Sequence, residues 1–219
     1  MDPVSFTTED GVRLEGELRM PEGEPRAAAV LCHPHPRHGG SKDHPILWAI
    51  RNELAAARGC AVVGFNFRGV MGSGGTYGGG RAEIRDARAA ISFAREHVPE
   101  AAGTFVVGWS FGANVALREA LDDPRVDALA LLGIPLRPGD VELPGLPAPS
   151  ELRALARPVL LLAGEQDVYA PPEEVRAYAA AFPAGEAEIL NGTDHYLWRR
   201  EKEAAALVGA FAERTLSRR

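Results

Sequence analysis

Ser110 stands in the pentapeptide Gly108-Trp109-Ser110-Phe111-Gly112. The apolar run Thr104-Phe105-Val106-Val107 precedes it, and a helical run from Ala113 to Leu121 follows. Gly-x-Ser-x-Gly between a strand and a helix is the context in which a serine is turned out as a nucleophile. Small residues at 108 and 112 let strand and helix approach. The hydroxyl is then left at the carboxyl end of the strand, near the positive end of a helix. A glycine-flanked turn with a capping serine is the plainer alternative; the flanking strand and helix favour the nucleophile.

A serine hydroxyl needs a base and an acid that orients the base. Asp167 follows the apolar run Val159–Ala163 across Gly164-Glu165-Gln166, and His195 follows the short run Ala187–Leu190 in Asn191-Gly192-Thr193-Asp194-His195. Both lie just past strand ends, in the chain order serine, acid, histidine. Glu165 and Asp140 are rival acids, Asp140 serving if the acid sits one strand earlier. Asp194 adjoins the histidine and is expected to shape its loop. The expected chemistry is acyl transfer: Ser110 attacks a carbonyl, His195 takes its proton, and Asp167 holds the imidazole.

The loop His33-Pro34-His35-Pro36-Arg37-His38-Gly39-Gly40-Ser41 follows another apolar run, Ala27–Cys32. Such a loop supplies one oxyanion-hole amide, and the residue after the nucleophile, Phe111, supplies the other. Pro34 and Pro36 have no N–H, which leaves His35, Arg37 or a later residue as the loop donor; His35 is expected, because the two prolines would rigidify the chain around it. His33, His35, His38 and His44 invite a metal reading, but no carboxylate or cysteine pattern completes a site. No metal and no cofactor are expected, and His38 and His44 are read as loop packing. The stretch Asn66 to Gly75 is not a dinucleotide fingerprint, because the glycines run on to Gly80 and no helix opens at once. It is expected to be a flexible loop at the site mouth, with Arg68 in a buried ion pair.

These residues need elements to hold them. Ala27–Cys32, Ala61–Phe65, Thr104–Val107, Ala128–Leu132 and Val159–Ala163 are nearly continuous apolar runs, the composition of strands covered on both faces. Val12 to Leu18 alternates and reads as a half-exposed antiparallel strand. Helical segments are predicted at Ile46 to Arg58, Arg81 to His97, Phe111 to Leu121, Pro172 to Phe182 and Glu201 to Leu216. The alternation predicts an α/β fold in one domain, 1–219, with a mostly parallel sheet and helices on both faces. Of the residues, 46% are hydrophobic and the net charge is −6, which excludes disorder and offers no basic face for nucleic acid. No apolar run approaches the ~18 residues of a membrane span. No signal peptide is visible, so a cytoplasmic protein is expected. Cys32 and Cys60 lie in apolar runs and read as buried thiols.

On these motifs the chain resembles the α/β-hydrolase superfamily from about residue 12 to the C-terminus. It is closest in pattern to small lidless bacterial serine hydrolases, esterase-like and related to dienelactone hydrolases and acyl-peptidases. Their His-Pro-His-Pro-x-x-Gly-Gly appears as His33 to Gly40, and their Asn-Phe-Arg-Gly-Val-x-x-Ser as Asn66 to Ser73, with Met71-Gly72 before the serine. It departs from dienelactone hydrolases in carrying serine in place of cysteine. The slot for a lid, Ile134 to Arg157, is short and proline-rich, so the site is expected to be open. The resemblance implies hydrolysis of small-molecule acyl esters. Thioesterase, acyl-peptidase and non-catalytic ligand-binding roles on the same fold are the alternatives. Trp109, Ile134, Leu136, Tyr169, Tyr196 and Trp198 are expected to build the pocket, with a core position as the alternative for Trp109, and short soluble esters are expected to be preferred over long-chain lipids.

Overall fold

In the computed structural model, which describes residues 2–99, 103–137, 139 and 141–216, the apolar runs become strands that feed two cores. In β5 (Gly103–Trp109), Phe105, Val107 and Trp109 join one core and Val106 the other. β7 (Val159–Gly164) divides the same way, Val159, Leu161 and Ala163 against Leu160 and Leu162. That is the period-2 alternation of a strand buried on both faces.

The other strands are β1 (Asp2–Thr7), β2 (Arg13–Arg19), β3 (Ala27–Cys32), β4 (Cys60–Phe65), β6 (Ala128–Leu132) and β8 (Gly185–Leu190). They form one eight-stranded sheet in the order β1-β2-β4-β3-β5-β6-β7-β8. β1 and β2 pair antiparallel, β2 joins β4 antiparallel, and the rest of the sheet is parallel. The helices α2 (Glu83–Arg95), α3 (Phe111–Asp122) and α5 (Pro172–Ala179) cover one face. On the other lie α1 (Pro45–Asn52) and α6 (Glu201–Leu216). This is an α/β-hydrolase arrangement of sheet and helices. Among the described residues no helix is long and apolar enough to cross a membrane.

The differences from expectation have local causes. β1 carries no clear apolar alternation, because only Phe6 in it is buried; it is an edge strand, where Pro3 is tolerated. The helix expected to run to Arg58 leaves α geometry at Asn52. It continues as a π turn, Glu53–Ala57, that keeps Leu54 and Ala55 buried. Among its described residues the lid slot holds one six-residue helix, α4 (Pro149–Ala154), with Pro149 at its first position. The glycine-rich stretch is pinned. Ser73 Oγ donates to the Asn66 carbonyl at 2.7 Å, and Glu83 accepts from the N–H groups of Gly78 and Gly80 at 2.7 and 2.8 Å. At its start, Arg68 is in a buried ion pair with Asp86 at 2.7 Å and reaches Asp10 at 2.8 Å. Cys32 and Cys60 are free buried thiols.

Because β3 to β8 run parallel, their carboxyl ends share one edge. Cys32 is level with Gly108, Trp109 with Leu132, Leu132 with Leu162, and Gly164 with Leu190. The loops that carry His35, Ser110, Asp167 and His195 all leave from that edge.

Candidate active site

Ser110 sits between the end of β5 and the first residue of α3 with φ 55° and ψ −118°. Non-glycine residues rarely adopt positive φ, and such outliers persist where the surroundings over-determine them. Here the constraints are visible. The Ser110 N–H donates to the Leu132 carbonyl at 2.8 Å, and the Ser110 carbonyl accepts from Ala113 at 2.9 Å. A Cβ on Gly108 would collide with the Gly112 carbonyl, and one on Gly112 with the carbonyls of Cys32 and His33. Only glycine at both positions lets β3, β5 and α3 meet there.

The Ser110 Oγ is 2.9 Å from His195 Nε2, and His195 Nδ1 is 2.8 Å from Asp167 Oδ2. The other carboxylate oxygen, Oδ1, accepts from the N–H groups of Tyr169 at 2.9 Å and Ala170 at 3.0 Å. Asp167 is 3% exposed. An ionised carboxylate only accepts, so the proton of neutral His195 lies on Nδ1. Nε2 is then free to accept from the serine hydroxyl. Gly133, at φ 50°, backs this pair: a Cβ there would lie 3.1 Å from His195 Cε1 and 3.3 Å from Asp167 Oδ2. Of the rival acids, Glu165 is turned to the Gly192 N–H at 2.8 Å, and Asp140 lies outside the described residues. Asp194 accepts from the Tyr196 N–H at 3.0 Å and so shapes the histidine loop.

The N–H groups of His35 and Phe111 donate to no protein acceptor among the described residues. The rings of these two residues lie 5.0 Å apart. His35 Nδ1 accepts from the Arg37 N–H at 3.1 Å, so neutral His35 carries its proton on Nε2. That nitrogen is 3.1 Å from Tyr77 Oη, which in turn donates to the Glu142 carbonyl at 2.8 Å. Burial, then the neighbouring His38, lowers the His35 pKa and favours this neutral form. Tyr77 therefore ties the glycine-rich stretch and the segment after β6 to the loop after β3. Sequence reasoning missed it; its signal was a lone aromatic ring inside a glycine run.

The other histidines divide by role. His33 is wholly buried, with Nδ1 2.6 Å from the Pro34 carbonyl and Nε2 accepting from Phe67 N–H at 2.9 Å. Burial pushes its pKa down to about 4, so it stays neutral as a structural crosslink. His44 accepts from the Ile46 N–H at the start of α1, and its ring lies 4.2 Å from that of Trp109. Among the described residues, no group of three or more His, Cys, Asp or Glu side chains is placed to hold a metal ion.

A cavity of about 150 Å³ opens before Ser110, and it corrects part of the expected pocket. Trp109, Tyr169 and Tyr196 line it. Trp109 is also core: it is buried, and its Nε1 donates to the His195 carbonyl at 3.3 Å. Ile134 is buried in the core and Leu136 packs half-buried against it, while Pro135 between them lines the cavity. Gly133, at φ 50°, breaks the alternation of β6: Leu132 faces one core, whereas Ile134 and Leu136 pack with Leu129 and Leu131 in the other. Trp198 is not in the lining; it stands on the rim, 6.1 Å from both Tyr196 and His44. His38, His44, Val141 and Leu143 were not anticipated as lining. Val141 and Leu143 reach the cavity only because the proline-rich segment folds back over the strand ends.

Solved structures with this architecture are numerous. A serine hydrolase homologue from Coxiella burnetii is 27% identical, with a TM-score of 0.81 over 95% of this chain and 96% of that one. A serine hydrolase without lid from Xanthomonas campestris is 24% identical, with a TM-score of 0.80 over 98% and 94%. An esterase from Pyrococcus furiosus is 22% identical, with a TM-score of 0.80 over 98% and 92%. Residues 26–215 match the family model described as an alpha/beta hydrolase domain, and the chain belongs to that family.

Proposed function

We propose that the protein is a serine hydrolase that cleaves small acyl esters through a covalent acyl-enzyme. The observation that carries this reading is the unbroken relay from Ser110 Oγ through His195 to Asp167, at 2.9 and 2.8 Å, on a serine held at positive φ. In this mechanism Ser110 attacks the ester carbonyl as its proton passes to His195 Nε2. Asp167 stabilises the imidazolium, and the amides of His35 and Phe111 receive the oxyanion, at ~3 kcal/mol of barrier for each donor. His195 then protonates the departing alcohol, and water, activated by the same ring, releases the acid.

A fluorophosphonate probe tests the reading directly. The folded protein should be labelled on Ser110 and on no other serine, as located by peptide mass spectrometry. Absence of labelling would turn the reading toward ligand binding without catalysis.

Among the described residues of the segment from 134 to 157, α4 with its six residues is the only helix, too short to close over a long chain. The cavity, at about 150 Å³, is also small for one. In a series from acetyl to palmitoyl p-nitrophenyl esters, kcat/KM should peak at short acyl chains. Each further methylene that found an apolar groove would add ~0.8 kcal/mol. A rise sustained beyond about eight carbons on that increment would show a groove and reject the short-acyl preference.

Tyr77 is proposed to hold the His35 amide in place through its tether. Tyr77→Phe removes both hydrogen bonds of the hydroxyl while keeping the ring. Steady-state kinetics should show kcat falling roughly three- to tenfold with KM little changed, the effect of ~1 kcal/mol felt in the transition state. A change confined to KM would place Tyr77 in ground-state binding.

A further inference from the structure

We infer that Tyr196 and Trp198 form the alcohol side of this site and select esters whose alcohol carries a flat aromatic ring. The inference rests on the acyl-transfer reading above and adds a substrate class to it. Geometry assigns the side. The carbonyl oxygen must point to the amides of His35 and Phe111, and the departing oxygen must meet His195 Nε2 to be protonated. The alcohol therefore leaves past the histidine, over the segment that follows it.

That segment is built to hold two rings outward. Leu197 is 1% exposed and lies in the core beneath the sheet, whereas Tyr196 and Trp198 on either side are 48% and 54% exposed. Leu197 and Arg199 both have positive φ, at 53° and 64°, an unusual pair for side chains of this size. The bend is braced. Leu197 N–H donates to the Asp194 carbonyl at 3.2 Å, Arg200 N–H to the Leu197 carbonyl at 3.0 Å, and Arg200 Nη2 to the Asn191 carbonyl at 2.9 Å. Backbone strain of this kind collects at binding sites, where the fold over-determines it.

The rings are also arranged for a planar ligand. Tyr196 and Trp198 are inclined by 27° with centroids 6.1 Å apart, and His44 stands 6.1 Å from Trp198. Tyr196 and His44 line the cavity before Ser110, so the rim is continuous with the reacting centre. Stacked or edge-on contact with such rings favours an aromatic partner beyond its apolar area. A saturated ring of the same bulk gains the area alone.

The experiment compares 2-naphthylmethyl acetate with decahydro-2-naphthylmethyl acetate, whose alcohols have similar basicity and apolar bulk. The wild-type protein should favour the aromatic ester in kcat/KM by about tenfold, and Trp198→Leu should bring the ratio near one. Equal rates for wild type, or a ratio unmoved by Trp198→Leu, would overturn the assignment. Trp198 is half exposed, so its replacement does not threaten the fold. Binding of 2-naphthylmethanol to Ser110→Ala, measured by calorimetry, separates the subsite from catalysis. Affinity lowered about tenfold by adding Trp198→Leu supports the subsite even if no ester is turned over, which would count against acyl transfer alone. No binding, or binding indifferent to residue 198, rejects the subsite.

Discussion

Ser110→Ala should lower kcat/KM toward p-nitrophenyl acetate by about six orders of magnitude, the size of loss seen when a nucleophile that acts as a unit with its base is removed. The residual rate should still exceed that of water by ~10³–10⁴, because the oxyanion amides and the cavity remain. The substitution leaves the fold intact. Alanine carries the same Cβ as serine, so the backbone at φ 55° is no more constrained than before. The Gly108 and Gly112 contacts that enforce the turn are untouched. Only the bond to His195 is lost, at a partly buried site where ~1 kcal/mol is the usual net worth. The melting temperature should therefore move little while activity disappears. Activity surviving within tenfold of wild type would remove Ser110 from the chemistry.

Asp167→Asn should reduce kcat by about 10⁴ with little change in KM. The hydrogen bonds around the carboxylate dictate why. Oδ1 accepts from the Tyr169 and Ala170 N–H groups, so an asparagine must keep its carbonyl oxygen there. Its NH₂ group is then forced into the place of Oδ2, facing His195 Nδ1. Two donors cannot face each other, so Nδ1 gives up its proton and Nε2 carries it instead. The ring then presents a donor to the serine and cannot act as a base. Substrate contacts are unaltered, so the defect belongs to the transition state. Steady-state kinetics on both variants decides the acid: Glu165→Gln should be mild, because Glu165 faces Gly192. A mild Asp167→Asn would mean that another carboxylate orients the histidine.

The fold class, the strand–turn–helix around Ser110 and the strands from β2 onward were legible in the sequence. Their signals are local: a glycine-spaced pentapeptide, apolar runs buried on both faces, and an order of serine, acid and histidine past the ends of β5, β7 and β8. β1 was not legible, because an edge strand with one buried side chain carries almost no periodicity. Which carboxylate stands beside His195 was decided by tertiary structure, since Glu165 and Asp167 are two residues apart and differ only in which way their loop turns them. Of the two histidines flanking Pro34, one is a buried crosslink to Phe67 and the other is tied to Tyr77, far along the chain, and neither partner shows in the sequence. The cavity wall was the least legible part. Ile134 and Leu136 turn inward because the chain changes phase at Gly133, φ 50°, just past β6, while Val141 and Leu143 arrive from a segment without regular structure. Periodicity reports which face a residue takes relative to its own neighbours in the chain. A pocket is built from contacts between segments that are distant in sequence, and no local pattern records those.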